Sequence, residues 1–190
     1  MSLLPIVITG EPVLHRPAAP VVSFGEKLQQ LVRDLFETMD AAPGVGLAAP
    51  QVGVDARVFV YGWESPDGVV HRGAAVNPTL WITPTPVGAP DPDEESEGCL
   101  SVPGLRFALR RSPEALLWGV DEKGQPFERR AHGWLARIFQ HEFDHLDGLL
   151  YLDRLQGKES RRAARAVRKE HWGVPGLTWQ PTVGGREPGI

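Results

Sequence analysis

Cysteine is almost missing from this 190-residue chain, which has Cys99 and no other. A lone cysteine forms no intrachain disulfide, so a secreted scaffold held by disulfides is excluded. Long apolar runs are missing too, and none approaches the roughly 18 residues that a membrane-spanning helix needs. Charge of one sign is not in excess. Lys plus Arg is 20, Asp plus Glu is 24 and the net charge is −4, so there is no global drive toward DNA or an anionic membrane. Met1-Ser2-Leu3-Leu4-Pro5 has neither the basic start nor the apolar stretch of a signal peptide. No internal repeat is present. A soluble, cytoplasmic protein with a reduced thiol is expected.

Hydrophobic residues make up 42% of the chain, enough to bury a core, which excludes wholesale disorder. The length suits one domain. Glycine (21) and proline (18) together are about a fifth of the residues, so many turns and irregular loops are expected. Leu28, Leu31, Val32, Leu35, Phe36 and Met39 repeat at helical spacing and predict an amphipathic helix over 25–39, with Ser23 as cap and Glu26 closing a capping box. The segment 42–54, with three glycines and two prolines, reads as a shaped loop. Strands are expected at 56–63, 74–82, about 105–110, 114–120 and 126–131. The acidic, proline-rich stretch before Glu97 reads as a solvated connection. A helix begins at Gly133 and a second spans 158–171. From 173 the chain is rich in glycine and proline, and no regular structure is expected there.

One pattern carries chemistry. Gln140-His141-Glu142-Phe143-Asp144-His145 contains H-E-x-x-H within the helix that begins at Gly133. Positions i and i+4 lie on one helical face, so both imidazoles can reach one metal ion, with Glu142 beside it to take a proton from water. Two histidines do not complete a metal site. One protease pattern would put a third histidine six residues after the second, but position 151 is Tyr. Glu170, further downstream, is an admissible carboxylate ligand. Cys99, in Glu97-Gly98-Cys99-Leu100-Ser101, offers a thiolate that binds Zn²⁺ or Fe²⁺ well. His15, His71, His132 and His171 have no comparable spacing.

Three segments together resemble the peptide deformylase family. Gly44-Val45-Gly46-Leu47-Ala48-Ala49-Pro50-Gln51 resembles its first motif, Glu97-Gly98-Cys99-Leu100-Ser101 its second, and Gln140-His141-Glu142-Phe143-Asp144-His145-Leu146-Asp147-Gly148 its third. The likeness runs from about residue 4 to 155. The expected fold is α+β, with antiparallel β-sheets packed around a central helix carrying H-E-x-x-H and with N- and C-terminal helices. Residues 1–172 would form the catalytic domain and 173–190 a tail.

The resemblance implies metal-dependent removal of the N-formyl group from the N-terminal methionine of newly made bacterial polypeptides, with release of formate. It implies Cys99, His141 and His145 as ligands of one divalent ion, Fe²⁺ in the cell, with Zn²⁺, Ni²⁺ or Co²⁺ accepted in its place. Glu142 would activate a water on that ion. The Gln51 side-chain amide and the backbone N–H of Leu100 would stabilise the oxyanion. Val45, Gly46 and Gly98 would hold the peptide, Trp134 and Ile138 would line the methionine pocket with Val45 and His141, and Arg106 would contact substrate at the mouth. Arg137 and Glu95 stand where similar proteins often carry apolar residues. The sequence leaves open whether Arg137 points away or narrows the pocket rim.

Two other readings remain at this level: an endoprotease using Glu170 in place of Cys99, and a non-enzymatic protein, either a structural metal module or a catalytically silent relative that binds nascent chains. Arg154, Lys158, Arg161, Arg162, Arg165, Arg168 and Lys169 face only Glu159 and Glu170. This basic helix, 158–170, either docks on ribosomal RNA near the nascent chain or is a solvated surface.

Overall fold

The computed structural model describes residues 3–182. In chain order its elements are β1 (Ile6–Val7), α1 (Glu26–Ala41), β2 (Gly46–Ala48), β3 (Val58–Glu64), β4 (Val70–Ile82), β5 (Ser96–Cys99) and β6 (Val102–Ala108). They continue with β7 (Glu114–Val120), β8 (Pro126–His132), α2 (Gly133–Leu146), α3 (Tyr151–Arg154), α4 (Gly157–Lys169) and β9 (Thr178–Trp179). The strands form an antiparallel five-stranded sheet, ordered β2-β3-β4-β7-β8, and two antiparallel pairs, β5-β6 and β1-β9. The α+β expectation holds.

The unbroken apolar run of β3 has a simple cause. Successive strand residues point to opposite faces, and both faces of this sheet are covered. Val58 and Val60 meet Leu28, Val32, Leu35 and Met39 of α1 in one core. Phe59 and Tyr61 meet Leu135, Ile138 and Phe139 of α2 in another. Both aromatics close on Phe139, with the Tyr61 ring centroid 5.0 Å away and nearly perpendicular. A third core gathers Cys99, Val102, Phe107, Leu150, Tyr151 and Ala163 between the β5-β6 pair and the C-terminal helices. The motif helix α2 therefore lies between the main sheet and the β5-β6 pair. It stops where Gly148 takes a left-handed φ of 76°. A Cβ there would lie 2.4 Å from the Arg16 carbonyl carbon, so only glycine fits that end.

Several expectations need correction. Helix α1 begins at Glu26 with Gly25 at its cap and no side-chain cap bond, so Ser23 lies too early to close a capping box. The segment 42–54 is not all loop. Gly46–Ala48 pair with Tyr61, Val60 and Phe59 as the edge strand β2, and Ala49–Val52 follow as a 3₁₀ turn. Three residues are too few to show a period; the neighbouring strand makes them a strand. Glu95 is not a solvated residue, because it accepts three hydrogen bonds from Arg110. The short helix α3 has no signal of its own in the sequence. The tail beyond 172 is built into the fold as far as it is described. β9 pairs with β1, and Trp179 is 9% exposed and donates its indole N–H to the Leu100 carbonyl at 2.8 Å. Packing thus continues past residue 172, while 183–190 of the expected tail lie outside the described residues.

Trp179→Ala removes this anchor. It is expected to lower unfolding free energy by about 3 kcal/mol, read as a reduced midpoint in urea denaturation.

Candidate active site

Strand alternation sets the first half of the site. In β5, Glu97 and Cys99 are two residues apart and point to the same buried face. The pairing of β5 with β6 shifts register between Gly98 and Cys99, an irregularity of the kind that re-aims a side chain. Helical spacing sets the second half. His141 and His145 project from one face of α2, their ring centroids 4.9 Å apart.

Cys99 Sγ lies 3.3 Å from His145 Nε2, which lies 3.2 Å from His141 Nε2. All three donor atoms fall within 4.8 Å of one another. Ligands of a tetrahedral ion, at roughly 2.0–2.3 Å from it, stand about 3.3–3.6 Å apart, so the spacing suits one shared cation. The proton placement agrees. His141 Nδ1 is 2.7 Å from Glu97 Oε1, and a carboxylate only accepts, so Nδ1 carries a proton and Nε2 is the nitrogen turned toward the other two donor atoms. Burial opposes charge on His141, but the Cys99 sulfur and the Glu97 carboxylate outweigh it and hold this imidazole well above its ordinary value. Burial, then His141 and Arg111, hold His145 well below it. The cluster offers two nitrogens and a sulfur to one shared cation. Glu170 is exposed at the end of α4 and takes no part. Among the described residues no other histidine joins such a group.

Glu142 is 3% exposed, and Oε2 has no hydrogen-bond partner among the described residues. Burial, joined by Glu97 and opposed by His141, pushes its carboxyl up to about 7, where a group can both accept and return a proton near neutrality. β2 passes so close that a Cβ on Gly46 would lie 2.3 Å from Glu142 Oε1. Glycine at 46 is what lets the edge strand reach the carboxylate. Gln51 is equally constrained. Its Oε1 accepts the Ala48 N–H at 2.9 Å, which turns its Nε2 toward Cys99 Sγ at 3.5 Å and Ser101 Oγ at 3.4 Å.

These groups line a cleft of about 160 Å³. Val45, Gly46, Gln51, Gly98, Cys99, Leu100, Arg106, Trp134, Ile138, His141 and Glu142 all border it. Of the site residues expected from the sequence, only His145 does not, because it is fully buried behind them.

Sequence reasoning did not find what stands behind the cluster. Glu97 is 4% exposed yet ionised. Burial would raise its carboxyl, but Arg111 and His141 hold it well below the usual range. Arg111 grips both Glu97 oxygens, at 3.1 and 2.7 Å, and reaches Asp144 Oδ2 at 2.6 Å. Arg154 holds the other Asp144 oxygen at 2.6 Å. Asp144 sits inside the third motif, and its partners lie 33 and 10 residues away in sequence, so no local pattern announces them. Arg137 borders the cleft, but its head group is turned inward. It is buried, and its Nη1 donates to Glu97 Oε2 and to the Leu109 carbonyl, both at 2.8 Å.

Comparison with known proteins gives the family. The polypeptide deformylase family model matches residues 3–161. The chain is 49% identical to a peptide deformylase of Mycolicibacterium paratuberculosis, over 97% of both chains. It is also 49% identical to one from Tropheryma whipplei strain TW08/27, over 95% of this chain and 94% of that one. Among solved structures, a peptide deformylase from Synechococcus elongatus in complex with actinonin superposes with a TM-score of 0.76 at 33% identity, covering 92% of this chain and 91% of that one. The peptide deformylase from Thermus thermophilus gives 0.74 at 38%, covering 88% and 95%. The chain belongs to the peptide deformylase family. It is an enzyme, a hydrolase, and its Cys99, His141 and His145 form a cluster able to hold a metal ion.

Gly46→Ala tests the close approach of β2. The added methyl must displace the buried Glu142 carboxylate, so kcat is expected to fall by about 100-fold. The melting temperature should stay near that of the parent, because the clash is with one side chain.

Proposed function

We propose that the protein removes the N-formyl group from the N-terminal methionine of new polypeptides by metal-dependent hydrolysis. The observation that carries this reading is the convergence of Cys99, His141 and His145 beside a buried Glu142 carboxylate, one oxygen of which has no partner among the described residues, at the floor of an open cleft. Cys99 Sγ and the two Nε2 atoms would hold a divalent ion, Fe²⁺ in the cell, with Zn²⁺, Ni²⁺ or Co²⁺ accepted after purification. Such an ion, when bound, supplies Lewis acidity that makes water nucleophilic at neutral pH and polarises a carbonyl.

The chain's own groups do the rest. Glu142 takes a proton from the attacking water on its free oxygen and passes it to the departing amine. Gln51 Nε2, fixed by its own carbonyl's bond to Ala48, and the N–H of Leu100 donate to the oxygen that gains charge as the formyl carbon becomes tetrahedral. β2 is the outer strand of its sheet, so Val45 and Gly46 can offer backbone groups to an extended peptide, with Gly98 on the far wall. The methionine side chain would lie against Val45, Trp134 and Ile138, and Arg106 would meet the peptide at the mouth.

The test is formate release from a formyl-Met-Ala peptide together with metal content. Cys99→Ala is expected to lose both ion and activity. Glu142→Ala should keep the ion and lose about 10²–10⁴-fold in kcat. Formate release by Glu142→Ala at the parent rate would overturn the mechanism. Retained metal in Cys99→Ala would overturn the assignment of Cys99 as a ligand.

The second partner is the ribosome. Helix α4 buries only Ala163, and Arg161, Arg165, Arg168 and Lys169 are exposed on it. These charges suit a phosphate backbone. Replacing Arg161, Arg165 and Arg168 by Glu should abolish ribosome co-sedimentation at low salt without changing turnover of a short peptide. Unchanged sedimentation would make α4 a solvated face.

A further inference from the structure

Arg137 is the one arginine, among the described residues, that both borders the cleft and touches the carboxylate behind the metal cluster. Its guanidinium is held on three sides. Nη1 bonds Glu97 Oε2 and the Leu109 carbonyl, each at 2.8 Å. Nη2 lies 3.7 Å from Glu95 Oε1. The carbon between them sits 5.2 Å from the Trp134 ring centre, against an indole that also lines the cleft. Glu97 in turn makes four bonds, two to Arg111, one to Arg137 and one to His141 Nδ1. A carboxylate has about four acceptor sites, so none is spare.

The division between its oxygens matters. Oε1 serves His141 and Arg111, while Oε2 serves Arg111 and Arg137. The two-point fork of Arg111 fixes the carboxylate within its plane and leaves twisting out of that plane. A further bond to Oε2, from a different element, opposes that twist and so steadies the oxygen that orients His141. The pair Arg137 and Glu95 is then intelligible together. Glu95, itself held by Arg110 at 2.6 Å, helps balance the Arg137 guanidinium, whose other carboxylate, Glu97, is shared with Arg111.

We infer that Arg137 is a positioning residue for the metal centre: it locks Glu97, and through it His141 Nε2, in the orientation that retains the ion. This rests on the metallohydrolase reading above. Groups that orient a ligating histidine typically change metal affinity by about 10–100-fold when removed.

The experiment uses the full chain loaded with Co²⁺, whose visible absorption reports its ligands. Arg137→Leu removes the charge and both donors and leaves an apolar side chain in the wall. It is expected to release Co²⁺ to excess chelator about 10-fold faster than the parent, with an altered cobalt spectrum. Its kcat for a formyl-Met peptide should fall while KM stays within about two-fold of the parent. Arg137→Lys, which restores a charge at Glu97, should recover part of the retention. A release rate and spectrum equal to the parent's in Arg137→Leu would overturn the inference, even with a lowered melting temperature. Where Arg137→Leu does not fold, Arg137→Gln decides in the same sense, since it keeps a neutral donor but no charge. The two levels separate cleanly. A parent that takes up no Co²⁺, or a Cys99→Ala variant that retains it, overturns the underlying reading. A parent that holds the ion beside an Arg137 variant that holds it equally well overturns this inference alone.

Discussion

Burying an ionised carboxylate costs several kcal/mol unless every lone pair finds a donor. Glu97 meets that condition with two arginines and a histidine. The hub joins three parts of the fold: the strand β5 that bears Glu97, the segment after β6 that bears Arg111, and the helix α2 that bears Arg137 and His141. Asp144 extends the set to Arg154 of α3. Remove the carboxylate and two buried guanidiniums lose their counter-charge. Remove one arginine and a buried negative charge is left short of a partner, a change that costs about 3–5 kcal/mol in comparable settings. The position of the His141 ring depends on this hub, because the Glu97 carboxylate at Nδ1 holds the tautomer that frees Nε2.

Helix α2 carries this arrangement by dividing its surface. Arg137, His141 and Asp144, at i, i+4 and i+7, form one stripe, and each meets the Glu97–Arg111 pair. Ile138 and Glu142, one residue on, border the cleft together with Arg137 and His141, while His145 lies behind it against the Cys99 sulfur. Leu135, Phe139 and Leu146 turn to the sheet and anchor the helix in its core. Gln140 seals the back by pairing through both amide atoms with the backbone of Ser112. A helix so buried holds its polar groups in fixed places, which a catalytic set requires.

How much of this is legible in the sequence follows from range. The i, i+4 histidines and the Glu97–Cys99 alternation are local, and the residues themselves announce them. The apolar stripes of α1 and the doubly covered strand β3 are local as well. The β2 strand escapes sequence reading because three residues carry no period and its pairing is supplied by β3. The β1–β9 pair escapes for the same reason, since its two short strands lie at opposite ends of the chain. The ionic hub escapes because its members are separated by 14 to 44 residues along the chain. Arginines at 111 and 154 look like ordinary surface charges until the fold places them, while Arg137 and Glu95 stand out only as charges where similar proteins often carry apolar residues. One signal is there to be read: a charged residue, Arg137, at a helical position between Leu135 and Ile138, both bound for the core.

Strand β6 explains how the cleft and the basic helix can coexist without interfering. Neighbouring residues of a strand face opposite ways. Arg106 borders the cleft, whereas Phe107 turns into the core that holds Ala163 of α4 and Tyr151 of α3. The Tyr151 ring stacks at 6.2 Å on His141 from that side, and its hydroxyl donates to the Leu105 carbonyl. Arg162 of α4 lies over the Phe107 ring at 5.8 Å. The helix buries little of itself, so its residues contribute through helix propensity and a few such contacts more than through a packed face. Its aspect relative to the cleft is nonetheless set, because the same strand and the Asp144–Arg154 pair tie both to α2. A surface ordered in this way can present its charge at a constant angle to the cleft mouth, and it can do so without a side chain of α4 entering the chemistry.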